Sequence, residues 1–167
     1  MNQQCAVYPG SFDPPTNGHL DILLRATQLF PKVIVAVTDN QNKNPSFTLE
    51  ERLTMLRTTT SKMHNIKVDS FSGLLVDYVQ QSRASVIIRG LRAVSDFEYE
   101  FQMALMNRRL NRSVITVFLM PDESYTYLSS SVVREVARHG GSLRGLVHPS
   151  VEKKLKKLYR IPSHPIG

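Results

Sequence analysis

Short runs of apolar residues alternate along this chain with longer segments in which apolar residues recur every three or four positions. Short apolar runs are typical of β-strands, and the longer repeat is typical of amphipathic helices. The runs 32–38 and 85–88 are almost continuously apolar, as in strands that are buried on both faces of a parallel sheet. Strands are predicted at residues 5–8, 32–38, 66–71, 85–88 and 113–119.

The segments between and after these strands predict helices. Thr48-Leu-Glu-Glu51 has the spacing of a capping box and predicts a helix that runs to about Thr59. Ser150 is predicted to cap the last helix. Further helices are predicted from about Leu20 to Phe30 and at 74–81, 95–111, 132–139 and 151–159. Because strands and helices alternate, the predicted fold class is α/β, with a doubly wound, mostly parallel five-stranded sheet.

Length and composition narrow the class of protein. The 167 residues suit a single domain that spans residues 1–167. We expect a cytoplasmic protein without a membrane partner, because no apolar run could span a membrane and Met-Asn-Gln-Gln does not begin a signal peptide. Cys5 is the only cysteine and is expected to pack in the first strand. The formal charge of +7 allows either nucleic acid or small phosphorylated substrates as partners.

The loop after the first strand has the composition of an anion-binding site. It contains Gly10 and Gly18 and ends where the first helix begins, at His19. Free N–H groups at a helix start attract anions, and a histidine there can donate a hydrogen bond to a phosphate oxygen. The loop has neither the Gly-Lys-Ser/Thr of a P-loop nor the Gly-x-Gly-x-x-Gly of a dinucleotide site.

Polar residues follow four of the predicted strands, at the sheet edge where ligands of doubly wound folds bind. They are residues 11–19, Lys43, residues 89–92 and residues 129–131. The two arginines of the third segment suit phosphate, although salt bridges to Asp96, Glu98 or Glu100 would also explain them. The three serines suit an anion at a helix start, although one of them would serve as a plain N-cap. Their convergence predicts a phosphate-binding site.

Four motifs together make the chain resemble a known family. They are Tyr8-Pro-Gly-Ser-Phe-Asp-Pro-Pro-Thr-Asn-Gly-His19, Thr48-Leu-Glu-Glu-Arg52, Ile88-Arg-Gly-Leu-Arg-Ala-Val-Ser-Asp-Phe-Glu-Tyr-Glu100 and Leu128-Ser-Ser-Ser131. In these motifs the chain resembles the bacterial phosphopantetheine adenylyltransferases, which belong to the nucleotidyltransferase superfamily with a His-x-Gly-His-type motif. The resemblance extends from about residue 6 to residue 140.

This resemblance implies a Rossmann-like fold, assembly as a homohexamer and the use of Mg²⁺. The implied reaction joins ATP and 4′-phosphopantetheine to give dephospho-coenzyme A and pyrophosphate, the penultimate step of coenzyme A synthesis. The nucleophile is a phosphate monoester with a second pKa of about 6, so no general base is required. No protein ligand to the metal is predicted.

The resemblance also assigns roles to residues. His19 would be the catalytic residue that contacts the α-phosphoryl group in the transition state. Ser11, Lys43, Leu75 and Arg89 would bind 4′-phosphopantetheine. ATP would be bound by Ser11, Phe12, His19, Gly90, Leu91, Arg92, Glu100, Tyr125, Thr126, Tyr127, Leu128, Ser129, Ser130 and Ser131. Ser11 stands where threonine is common, and Tyr125 stands where some relatives have tryptophan.

Two alternatives make different predictions. Another nucleotidyltransferase of this fold, for nicotinate mononucleotide or with a cytidylyl donor, would keep His19 and the serines but use a different acceptor. A non-catalytic nucleic-acid-binding module would show salt-dependent binding without turnover. We expect no nucleic-acid partner, because the basic clusters 108–112 and 153–157 lie in predicted helices away from the site.

Overall fold

The computed structural model describes residues 5–39 and 44–160, which contain a five-stranded parallel sheet. The strands are β1 (Cys5–Gly10), β2 (Lys32–Thr38), β3 (Ile66–Phe71), β4 (Val86–Gly90) and β5 (Ile115–Leu119). Their spatial order is β3-β2-β1-β4-β5, so the chain first winds outward from β1 and then returns to its other side. The predicted Rossmann-like, doubly wound sheet is confirmed, and all of its neighbouring strands are parallel.

The central strands are buried on both faces because apolar residues occupy successive positions in them. Successive side chains of a strand point to opposite faces. Tyr8 and Val35 therefore pack with Leu23 and Leu56 on one face. Val7, Ile34 and Ile87 pack with Val79 on the other, together with the buried Cys5. This two-sided burial explains the continuous apolar runs in the sequence.

The helices are α1 (Asn17–Leu29), α2 (Leu49–Thr59), α3 (Leu75–Gln81), α4 (Val94–Leu110), α5 (Ser130–Arg138) and α6 (Pro149–Leu158). Thr48 and Glu51 form the predicted capping box of α2. The predicted cap of α6 is wrong. His148 caps that helix, and its ring accepts the Ser150 N–H. Pro149 then occupies the first helical turn, where its fixed φ is favourable.

Helix α4 leaves an apolar surface exposed in the single chain. Phe97, Phe101 and Leu105 are each about half exposed, at 48%, 46% and 46%. The rings of Phe97 and Phe101 stack with their centroids 5.6 Å apart. Within residues 5–39 and 44–160, no helix is both long enough and apolar enough to cross a membrane.

Candidate active site

A cavity of about 690 Å³ opens beside the ends of β1 and β4, where the strand order reverses. This is the switch point at which doubly wound folds bind their ligands. The loop after β1, the end of β4 and the start of α5 all contribute to its wall. Of the residues predicted for the site, it is lined by Ser11, Phe12, His19, Arg89, Gly90, Arg92, Glu100, Tyr125, Leu128, Ser129, Ser130 and Ser131.

Four predicted residues do not line this cavity. The Leu91 N–H continues the β4–β5 ladder by donating to Leu119 O. The Thr126 hydroxyl donates to Glu123 O within the adjacent turn, and Tyr127 is 64% exposed. Leu75 packs against the cluster on the opposite face of the sheet from α1. Lys43 lies outside the described residues, so its predicted role stays a prediction.

The loop after β1 is shaped by Phe12. Its φ of +46° lies in the left-handed region, which costs a non-glycine residue about 1 kcal/mol or more. Its buried ring packs edge-on against Tyr8 and His19, with centroids 5.4 and 5.1 Å away. A Cβ on Gly10 would lie 3.0 Å from this ring, so the close packing requires glycine there. Phe12 therefore supports His19 from below and leaves its own backbone to face the cavity.

The Thr16–His19 spacing places the histidine in a capping box at the start of α1. Thr16 Oγ1 accepts the His19 N–H at 3.3 Å, and His19 Nδ1 accepts the Thr16 N–H at 3.0 Å. A backbone N–H can only donate, so Nδ1 carries no proton and the neutral ring has its proton on Nε2. Burial lowers the pKa of His19 to about 4, and the charge of Arg92 acts in the same direction. At neutral pH the ring is therefore an uncharged Nε2–H donor.

Both arginines at the end of β4 form the ion pairs that the sequence allowed. Arg89 Nε and Nη2 donate to the two carboxylate oxygens of Glu100 at 2.6 and 2.5 Å. Burial lowers the pKa of Arg89, but the hydrogen bonds and charge of Glu100 outweigh it and raise that pKa. Arg92 pairs with Asp96 at 3.1 Å and also donates to Leu128 O at 3.2 Å. Because both arginines also line the cavity, the ion pairs hold them in place for a ligand.

The serines at the start of α5 contribute both to the fold and to the wall of the cavity. Ser129 caps the helix by accepting the Val132 N–H at 3.2 Å. Ser130 Oγ donates to Pro14 O at 2.8 Å and so joins α5 to the loop after β1. Ser131 lines the cavity with them. Because all three serines line the cavity, the start of α5 is placed where a helix N-terminus could attract an anion.

Several lining residues were missed in the sequence. Asp13 is buried, and its carboxylate accepts the N–H groups of Ser46 and Phe47 at 2.8 and 2.9 Å. Arg134 donates to the Asp13 carbonyl and lies 3.6 Å from its carboxylate. Arg52 is 3% exposed. Asp13 and Arg52 had a signal in the sequence, since each lies in one of the four motifs, but no role was assigned to either; Arg134 had none.

Comparison with known proteins gives the family. The chain is 55% identical over 155 residues to phosphopantetheine adenylyltransferase of Desulfatibacillum aliphaticivorans, covering 93% of this chain and 89% of the relative. It is 57% identical over 155 residues to the phosphopantetheine adenylyltransferase of Carboxydothermus hydrogenoformans, covering 93% of this chain and 96% of the relative.

A solved structure from Vibrio parahaemolyticus, described as a nicotinate-nucleotide adenylyltransferase, has a TM-score of 0.71 at 14% identity. It covers 96% of this chain and 97% of its own, and at that identity the likeness establishes the fold alone. The cytidylyltransferase-like family model matches residues 7–136, which include the loop after β1, both arginines and the serines. The chain therefore belongs to the cytidylyltransferase-like family and, within it, to the phosphopantetheine adenylyltransferases, a group of nucleotidyltransferase enzymes.

Proposed function

We propose that this chain transfers the adenylyl group of ATP to 4′-phosphopantetheine and releases pyrophosphate, forming dephospho-coenzyme A. The observation that carries the proposal is 55–57% identity, over 93% of the chain, to relatives that bear this enzyme's name. The cavity supports it, because a donor histidine, arginines and a helix start line one space at the switch point. By its product, the reaction is the penultimate step of coenzyme A synthesis, and we place it in the cytoplasm, where ATP is available.

In the proposed reaction, an oxygen of the acceptor phosphate attacks the α-phosphorus of ATP. A new P–O bond forms, and the bond to the pyrophosphate oxygen breaks. The nucleophile needs no deprotonation by the protein, because the second pKa of a phosphate monoester is about 6. Catalysis then rests on positioning and on stabilising the charge at the α-phosphoryl group.

His19 suits the second task. Its Nε2–H donor is fixed by the capping box and by the Phe12 ring, so it needs no reorganisation as charge develops. A neutral ring also keeps its proton throughout the reaction, which a donor of this kind requires. Arg92, which follows β4, donates to Leu128 O next to the serines of α5, and these groups would hold ATP. Ser11 and Arg89 would bind the phosphate of the acceptor.

The proposal includes Mg²⁺ as an ion that binds together with the substrate ATP. Among residues 5–39 and 44–160, no group of three His, Cys, Asp or Glu side chains is placed to hold a metal ion. Mg²⁺ commonly takes most of its ligands from phosphate oxygens and water, so this cavity fits an ion that enters with ATP. When bound there, it would neutralise part of the triphosphate charge.

We also propose that the chain assembles as a homohexamer and that α4 contributes to the contact between copies. The exposed apolar side chains of α4, including Phe97, Phe101 and Leu105, support this proposal. Contiguous apolar surface of this kind is typical of protein–protein contacts. The number of copies comes from the family resemblance.

Pyrophosphate release tests the proposed reaction. Wild-type protein should release pyrophosphate from ATP only when 4′-phosphopantetheine is present. His19→Ala should lower kcat by about 10²- to 10³-fold, the usual effect of losing one preorganised donor. His139→Ala is the matched control, because His139 is exposed on the surface and should leave the rate unchanged. Release with nicotinate mononucleotide but not with 4′-phosphopantetheine would refute the acceptor, and an unchanged rate in His19→Ala would refute the catalytic residue.

A further inference from the structure

The charges that line the cavity do not balance. Four arginines and three carboxylates line it. Each carboxylate pairs with a different arginine, in the pairs Arg89–Glu100, Arg92–Asp96 and Arg134–Asp13. Arg52 is the remaining arginine, and no carboxylate of the described residues lies within salt-bridge distance of it. Residues 1–4, 40–43 and 161–167 contain no aspartate or glutamate, so their side chains cannot supply a partner.

Arg52 is also the most deeply buried of these arginines, at 3% exposure. Its Nη1 donates to Ser11 O at 2.8 Å and to Thr38 O at 3.2 Å. Its buried Nε has no hydrogen-bond partner in the described part of the chain. Carbonyl oxygens satisfy part of the guanidinium group but do not neutralise its charge. Buried charges in proteins are normally paired, so this arrangement points to a counter-charge that arrives with a ligand.

The position of Arg52 selects one ligand. Its two carbonyl partners belong to the loop after β1 and to the last residue of β2. Asn44 and Pro45, which follow β2, line the adjoining cavity wall. Arg92 follows β4, which lies on the other side of β1 from β2. If Arg92 holds ATP, as in the proposed function, the anion beside Arg52 is the phosphate of the acceptor.

We infer that Arg52 is a further acceptor-binding residue, whose uncompensated charge attracts the acceptor phosphate. The inference rests on the proposed function for the identity of the acceptor. If the role of Arg52 were purely structural, it would only link the loop after β1 to the end of β2. Losing that link would weaken the binding of both substrates equally, whereas losing the positive charge would weaken the binding of the acceptor selectively.

Calorimetric titrations of the full chain separate these roles. Arg52→Met and Arg52→Gln remove the charge, and Arg52→Lys keeps it. Arg57→Met is the matched control, because Arg57 lies in the same helix and pairs with Glu50 at the surface. The neutral variants should bind 4′-phosphopantetheine about 10- to 100-fold more weakly and ATP nearly as wild type, the loss expected for one hydrogen-bonded charge. Arg52→Lys should recover most of the lost affinity.

Equal weakening of ATP and 4′-phosphopantetheine, or no weakening of either, would overturn the inference. Circular dichroism shows whether the neutral variants fold, and if neither does, Arg52→Lys decides. Folded Arg52→Lys with wild-type affinity for 4′-phosphopantetheine would support the role of the charge, and folded Arg52→Lys that has lost this affinity would contradict it. Inorganic phosphate gives a test that is independent of the acceptor. It should raise the Tm of wild type, Arg57→Met and Arg52→Lys by a similar amount and that of Arg52→Gln by clearly less. If the wild-type protein showed no turnover, the proposed function would be refuted. The effect of phosphate on Tm would still decide the role of Arg52.

Discussion

The two ring nitrogens of His19 have different tasks, and amide side chains can separate them. Nδ1 accepts the Thr16 N–H, and Nε2 is the donor that is available to a substrate. In His19→Asn, the amide oxygen can take the place of Nδ1, so the cap survives and the distant donor is lost. In His19→Gln, the amide nitrogen reaches about as far as Nε2, so the donor survives. Glutamine is also an ordinary capping-box residue, so its amide oxygen can accept the Thr16 N–H when no substrate is bound.

The structure gives each loss a magnitude. Removing one preorganised donor lowers kcat by about 10²- to 10³-fold, so we expect this from His19→Asn. His19→Gln should lose only about 10-fold, because a flexible side chain places the donor less well. Both variants lose the contact with the Phe12 ring, worth about 1 kcal/mol for an aromatic pair. Neither variant removes the N-cap, because Thr16 Oγ1 accepts the backbone N–H of residue 19 in both, so the two variants should be destabilised by a similar amount.

Two measurements on the same protein samples test this reasoning. Single-turnover pyrophosphate release at saturating substrates reports the donor, and urea unfolding reports the stability. The expected order of rate is wild type, His19→Gln, His19→Asn, whereas the two variants should have similar free energies of unfolding, both below that of wild type. Because the variants differ in rate but not in stability, a general loss of folding cannot mimic this result. If His19→Gln were slower than His19→Asn, the assignment of the proton to Nε2 would be wrong.

Three further predictions concern pH, an ion pair and assembly. Because the pKa of His19 is lowered to about 4 in the folded protein, protonation of this ring opposes folding. Its contribution therefore makes the free energy of unfolding fall as the pH drops from 6.5 towards 4, by at most about 1.4 kcal/mol per pH unit. Urea unfolding at several pH values should show a smaller fall in His19→Gln. Glu100→Gln should lower the free energy of unfolding by about 2 kcal/mol, since it weakens a partly buried pair with Arg89, and urea unfolding measures this. Phe101→Asp should dissociate the assembly in sedimentation velocity while far-UV circular dichroism stays unchanged, because Phe101 is half exposed in the single chain.

The sequence predicted the parts of the fold that follow from local pattern. Strands β2 and β3 begin and end where their apolar or alternating runs do. The capping box of α2 was predicted from spacing alone, because Thr48 and Glu51 each accept the other's backbone N–H without help from the rest of the chain. The predicted start of α6 was wrong because Ser150 and His148 can both cap a helix. Pro149 favours the first helical turn, so the helix begins there and His148 is its cap.

The sequence predicted site residues whose role follows from their own loop, but not residues that reach the site from distant segments of the chain. His19 was found because a histidine at a helix start after a glycine loop has a local meaning. Arg52 was missed because nothing in its helix shows that it is buried beneath the loops after β1 and β2. Arg134 was missed for the same reason, since its partner Asp13 is distant in the sequence.

Three of the four cavity arginines are paired with carboxylates, and this affects a site that binds two anionic substrates and must then release both products. An arginine loses about 2 kcal/mol of side-chain entropy when it is fixed. The partners of Arg89 and Arg92 fix these side chains before a ligand arrives, so the cost is met in folding. The same carboxylates reduce the net attraction for phosphate, which favours the departure of pyrophosphate. Arg52 is fixed by carbonyl oxygens instead, and so its full charge remains for the ligand. If Arg52 binds the acceptor as inferred, affinity for the acceptor would be concentrated at this residue, while the paired arginines would contribute mainly orientation.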